Sequence, residues 1–184
     1  MLRLFIGIEP PEKIAEQLSS LQAGLPLARW VPKEKLHVNL AFLGNVNEDQ
    51  ARDVHEMLKQ VQFPAFSLTF QGLGYFADAD RPHHLWCDIQ DKVPLQNLHA
   101  KINKIVHDCR IHNDKFHQFI PHLSLASLRG TSLTEVMSFI AANNLFKTDS
   151  FQVEHFSLIS SHARDVGDSG KYYRIEAQYP LLLP

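Results

Sequence analysis

The sequence predicts a mixed α+β fold built twice over, as two lobes related by an approximate two-fold axis. Three observations predict it. Strand-like and helix-like stretches follow one another as β-α-β-α-β and then β-α-β-α-β-β, so one order is used twice. His37-Val38-Asn39-Leu40 and His122-Leu123-Ser124-Leu125 share the pattern histidine, apolar, small polar, apolar, at close to half-chain spacing. The 184 residues suffice to bury a core without disulfide or metal staples.

The elements follow in order. Leu2 to Glu9 is a first strand, ended by Pro10 and Pro11, and Pro11 suits the first turn of a helix. Ile14, Leu18 and Leu21 recur at helical spacing, with Gly24 as the stop. His37 to Gly44 is an apolar strand. Asn47 and Gln50 form a capping box for a helix that buries Val54, Leu58 and Val61. Phe66, Leu68 and Phe70 alternate with Ser67, Thr69 and Gln71 on one continuous strand, and His83 to Gln90 is the next. Leu95, Leu98, Ile102, Ile105 and Cys109 mark an amphipathic helix from Pro94 to Ile111. A polar loop, 112–121, leads to a strand starting at His122. Ser132 and Glu135 cap a helix through Val136 and Ile140, and the stretches 151–162 and 171–180 are closing strands.

Composition narrows the function classes. A net charge of −2 argues against a surface that wraps long nucleic acid, though not against recognition of one phosphate or one chain end. Cys87 and Cys109, without a CxxC or a paired zinc spacing, predict reduced thiols and a cytoplasmic protein. The short apolar start lacks the marks of a signal peptide, and no stretch is long enough to span a membrane. Eleven histidines invite acid–base or metal hypotheses. The adjacent His83 and His84 point to opposite strand faces, and His107, His112 and His117 match no ligand spacing, so no metal is expected.

The doubled motif carries the chemistry. On a strand, His37 and Asn39 share one face, as do His122 and Ser124, each pair about 6.6 Å apart. Two such faces meeting in a cleft suit in-line attack at phosphorus. A neutral histidine takes a proton from the nucleophile, and a protonated one gives a proton to the leaving oxygen. Asn39 and Ser124 donate to the charged phosphate oxygens, and no metal is needed.

On these residues the sequence resembles the two-histidine phosphoesterases. Within them it is similar to the bacterial and archaeal RNA 2′,3′-cyclic phosphodiesterases once called 2′-5′ RNA ligases. "RLFIGIE", "WVPKEKLHVNLAFLGNV", "FIPHLSLAS" and "SLISSHARDVGDSGKYYRIEAQYPL" carry the resemblance over nearly the whole chain. It implies one bilobal domain over 1–184 with one motif per lobe, antiparallel sheets lining a central cleft and helices outside. It also implies metal- and cofactor-independent opening of RNA 2′,3′-cyclic phosphate ends to 2′-phosphate, with 2′-5′ ligation as the reverse reaction. His37 and His122 take the catalytic positions, His122 as base and His37 as acid. RNA ends or 2′,3′-cyclic nucleotides are the expected partners, and the protein is expected to be a monomer.

Two departures stand out. Asn39 occupies a position where threonine is usual, which keeps open a binding module for RNA ends or nucleotide phosphates with weak or no catalysis. Ser127 stands where relatives often carry arginine. Arg129, of the same strand parity, is the substitute candidate for phosphate binding. Phe76, placed in a loop, is a candidate base stacker, and Arg164 and Lys171 are candidate RNA contacts. Phe42, five residues after His37, has the opposite parity on a regular strand and is expected in the core.

Overall fold

The computed structural model describes residues 1–111, 118–163 and 171–183. Ten strands, four helices and one 3-10 turn are formed by the described residues. In chain order they are β1 (Leu2–Ile8), α1 (Glu12–Ser19), β2 (Ala28–Trp30), the turn Lys33–Lys35, β3 (Val38–Val46), α2 (Glu48–Leu58), β4 (Phe66–Leu68) and β5 (Phe70–Asp78). There follow β6 (Arg81–Ile89), α3 (Val93–Asp108), β7 (Leu123–Leu128), α4 (Leu133–Ala142), β8 (Phe151–Val153), β9 (His155–Ala163) and β10 (Lys171–Pro180). The fold is mixed α+β with antiparallel sheets.

The main sheet runs β10-β9-β1-β3-β7-β6-β5, with β2 on β7 beside β3. Its neighbours all pair antiparallel. It has two flanks, β10-β9-β1-β3 and β7-β6-β5, joined where Val38 faces Leu123. Both residues are fully buried, so the junction is anchored in the core. One core of apolar side chains underlies both flanks. α1 contributes Ile14 and Leu18, α2 Val54 and Leu58, α3 Leu95, Leu98, Ile102 and Val106, and α4 Val136 and Phe139.

Both predicted capping boxes form: Asn47 with Gln50 and Ser132 with Glu135 satisfy orphan N–H groups reciprocally at the starts of α2 and α4. Other boundaries differ from expectation. α3 ends at Asp108 rather than near Ile111, because Arg110 turns to φ +54. The predicted strand over 66–71 is broken at Thr69, and that over 151–162 at Glu154. The two breaks have one cause: β4 and β8 pair with each other in a separate two-stranded sheet before their chains continue into the main one. Thr148 secures the crossing, its backbone N–H donating to Phe70 O at 3.0 Å and its Oγ1 accepting from Phe70 N at 3.1 Å. β2, three residues long, has too little alternation to predict and forms because β7 offers it an edge.

Candidate active site

His37 and His122 each stand one residue before a strand, and each is tethered to the carbonyl two residues back. His37 Nδ1 donates to Lys35 O at 2.7 Å and His122 Nδ1 to Ile120 O at 2.6 Å. A carbonyl only accepts, so Nδ1 carries the hydrogen in both rings. Nε2 is then the nitrogen left for chemistry, a base when neutral and an acid when protonated.

The Val38–Leu123 pair sets what stands beside what. One residue along the antiparallel register, His37 lies alongside Ser124 and Asn39 alongside His122. All four project to the face opposite the buried Val38 and Leu123. The two imidazoles are near enough that the charge of His122 lowers the proton affinity of His37. The carboxamide Oδ1 of Asn39 is buried without a hydrogen-bond partner.

Each imidazole sits between two aromatic rings. His37 meets Phe5 tilted at 4.8 Å and Tyr173 edge-on at 5.6 Å. His122 meets Phe76 edge-on at 5.1 Å and Trp86 tilted at 5.8 Å. Glycines make room for both cages. A Cβ at Gly7 would lie 3.0 Å from Val38 O and 3.4 Å from His37 Cδ2, and one at Gly74 would lie 2.3 Å from the Trp86 ring. Burial is the largest influence on both histidines and pushes their pKa values below the usual imidazole range, against the upward pull of the carbonyl bonds. The two then diverge. His37 faces the positive charge of His122, whereas His122 gains from Asp88, which follows the Cys87–Leu123 pair and so stands next to it.

A β-bulge follows each histidine. Gly7 faces Asn39 but Ile6 faces Ala41, so Leu40 is extra; Trp86 faces Ser124 but Leu85 faces Ala126, so Leu125 is extra. The repeat therefore extends one residue past the four-residue pattern, as His-x-polar-Leu-Ala. Each bulge reverses the parity beyond it. Phe42 is consequently on the face of the two histidines, 51% exposed and 6.2 Å from Phe5, not in the core as expected from a regular strand. Ser127 shares the face of Ser124 by the same device. In the first bulge the displaced Leu40 carbonyl accepts from His99 Nδ1 of α3 at 2.7 Å, which ties the kink to the helix layer.

Phe76 is not in a loop: it lies in β5, paired with His84, because the β5–β6 turn comes only at Ala79 and Asp80. It is half-buried against His122. Arg129 stands in the bend just past β7 and is exposed, off the strand that the parity expectation requires. Lys171 opens β10 opposite Ala163, and Arg164 lies outside the described residues, as do His112 and His117. Among the described residues no cluster of three or more His, Cys, Asp or Glu is placed to hold a metal ion, and no helix is long and apolar enough to cross a membrane. The sequence reading did not find Phe5, Tyr173, Trp86 or Asp88 as site residues. Gly7 and Gly74, glycines inside strands, were the available signal of close approach.

Known proteins agree with this architecture. The family model described as the 2′-5′ RNA ligase superfamily matches residues 10–165. The RNA 2′,3′-cyclic phosphodiesterase of Thermotoga maritima is 31% identical over 136 residues, 70% of this chain and 71% of the relative. That of Aquifex aeolicus is 24% identical over 173 residues, 91% of this chain and 92% of the relative. Among solved structures, E. coli LigT complexed with 3′-AMP superposes with a TM-score of 0.79 at 20% identity, over 98% of each chain. A Thermus thermophilus protein gives 0.76 at 20% identity over 97% of each. With its two tethered histidines and a family match spanning most of its length, the chain belongs to the 2′-5′ RNA ligase superfamily.

Proposed function

We propose that the chain is an RNA 2′,3′-cyclic phosphodiesterase: one bilobal domain, with one histidine motif per lobe, that opens the cyclic phosphate at an RNA end to leave a 2′-phosphate. The observation that carries this reading is the pair of Nδ1-tethered imidazoles on one face, with Asn39 and Ser124 beside them. The relatives of the same name lend it support. No metal or cofactor takes part in the proposed steps.

The reaction balances with the chain's own groups. Water attacks phosphorus in line with O3′, and a neutral histidine Nε2 accepts the water proton. The P–O3′ bond breaks, and the protonated histidine gives its proton to O3′. The Asn39 amide and Ser124 hydroxyl donate to the non-bridging oxygens, whose charge is stabilised where it develops. Asp88 favours the resting proton on His122, and the charge of His122 disfavours a second one on His37. On this asymmetry we assign His122 as the acid and His37 as the base, the reverse of the roles implied by the resemblance. A substrate with sulfur at the 3′ bridging position, which leaves without a proton, decides the matter. It rescues His122→Ala and not His37→Ala under our assignment, and the converse rescue overturns it. By microscopic reversibility the same groups serve 2′-5′ joining.

The test of the function is turnover of a defined 2′,3′-cyclic RNA end in excess chelator, with the product identified. A 2′-phosphate product, lost when either histidine becomes alanine, is the expected result; undiminished turnover in both variants overturns it. The orphaned Asn39 Oδ1 favours one second reading, a binder of phosphorylated RNA ends that has lost turnover. Tight binding of a 2′-phosphate end without hydrolysis, and activity gained by Asn39→Thr, would identify it.

A further inference from the structure

Arg29 is an exposed residue of β2 with no hydrogen-bond or carboxylate partner among the described residues. Its place in the sheet fixes the direction of its side chain. Arg29 faces Ser127 across the β2–β7 pair, and His84 faces Ser127 from the other side. The bulge at Leu125 has turned Ser127 to the cleft face, so cross-strand neighbours Arg29 and His84 share that face. The neighbouring Trp30 takes the opposite face. It faces the buried Ala126 and packs on Phe139 of α4 with ring centroids 5.9 Å apart, on the opposite side of the sheet. Arg29, next in the chain, therefore points away from α4, on the face of Ser127 and the two histidines.

Several other cations are neutralised by carboxylates, whereas Arg3, Arg81, Lys104, Arg110, Arg129 and Lys147 share with Arg29 the lack of a partner among the described residues. Lys13 pairs with Asp149, Lys33 with Glu12, Arg52 with Asp49, Lys59 with Glu56 and Lys92 with Asp88. Arg29 is unneutralised in a row that also holds a hydroxyl and an imidazole. The row lies beyond Ser124 by three residues of strand, roughly 7 to 10 Å with the bulge. That is too far along β7 to grip the phosphoryl group between the two Nε2 atoms. It is the distance over which the next phosphate of a strand follows. A planar, permanently charged fork at a solvent-facing rim suits a phosphodiester that arrives from water.

We propose that Arg29, with Ser127 and His84, forms a subsite for the phosphodiester flanking the reacting end, so that the cleft selects RNA ends over cyclic mononucleotides. This rests on the phosphodiesterase reading and deepens it: the RNA strand runs from the reacting phosphate across β7 toward β2. Arg29 is a specificity residue and takes no part in proton transfer.

The experiment compares kcat/KM for a trinucleotide ending in 2′,3′-cyclic phosphate with that for a 2′,3′-cyclic mononucleotide. The parent protein prefers the trinucleotide, and Arg29→Ala lowers that preference about tenfold, as expected for one charge-assisted contact. The preference of the parent also weakens with salt, and Arg29→Ala reduces the slope of log preference against log salt by about 0.7. Arg52→Ala, which removes an equal charge from α2, keeps the preference. A preference unchanged in Arg29→Ala overturns the subsite, whether or not overall turnover falls, and so does a parent protein without preference. If the parent hydrolyses neither substrate, the hydrolase reading fails alone. The same ratio is then taken from binding of a 2′-phosphate-ended trinucleotide against a nucleoside 2′-phosphate. An Arg29-dependent ratio keeps the subsite, and an Arg29-independent one, or no binding, removes it.

Discussion

The two flanks of the sheet carry the same device and finish it differently. Each has a histidine tethered through Nδ1, a polar residue two positions on, a bulge at Leu-Ala and an aromatic cage made possible by a strand glycine. One row farther from the junction the likeness ends. On the His37 flank, Ile175, Ile159, Phe5 and Phe42 face one another across four strands. On the His122 flank the corresponding row is Arg29, Ser127, His84 and Phe76. Phe42 and Ser127 occupy equivalent positions, five residues after their histidines. Phe42 and Ile175 expose half of their surface. In the proposed reading the centre, where both sides grip one phosphoryl group, tolerates symmetry. In the same reading the ends meet chemically different parts of a directional chain and do not.

The largest effects test the symmetric centre. Replacing either histidine by alanine should cost about 10² to 10⁴ in turnover of a cyclic end. Single-turnover kinetics measures it, and a variant within twofold of the parent would break the equivalence of the flanks. Next comes the glycine beneath each cage. Gly74→Ala forces its Cβ into the Trp86 ring and should destabilise by about 1 to 3 kcal/mol in urea unfolding. Gly7→Ala meets looser contacts and should cost less; equal costs would mean the cages are built alike.

Smaller effects probe the electrostatic difference. The pH–rate profile should be bell-shaped with its maximum on the acid side of pH 7, because burial lowers both imidazoles. Asp88→Asn should move the basic limb to lower pH, since the Asp88 charge opposes the lowering of the His122 pKa by burial. An unmoved limb would remove the assigned asymmetry. The smallest effect is on stability. The folded pKa of His37 lies below the unfolded value of about 6.5, so the unfolded chain binds more protons between the two. The contribution is present above pH 6.5 and is lost as pH falls through the folded value. Denaturant unfolding from pH 7 to 5 should therefore show a shallower decline for His37→Gln than for the parent.

Much of the site was legible because strand parity and helix capping are local. His37 with Asn39 and His122 with Ser124 project together for reasons within three residues, and the capping boxes at Asn47 and Ser132 are closed within four. Phe42 was misplaced because a bulge is decided by the partner strand: Ile6 and Gly7 determine where Leu40 is squeezed out. Phe76 was misplaced because a turn that could begin anywhere after Tyr75 is set by pairing with His84 and Arg81. β2 and Arg29 went unseen because three residues carry no period.

By itself, then, the sequence determined the mixed α+β class, the doubled histidine motif, the helix caps and the apolar residues that hold each strand, all of them consequences of short-range spacing. Only the tertiary structure decided that Val38 meets Leu123, that two bulges turn Phe42 and Ser127 into the groove, and that Asp88 and Arg29 stand on the side of His122. The physical reason is register: which residues face one another across strands distant in the chain depends on how the whole core closes, and a shift of one residue sends a side chain to the other face.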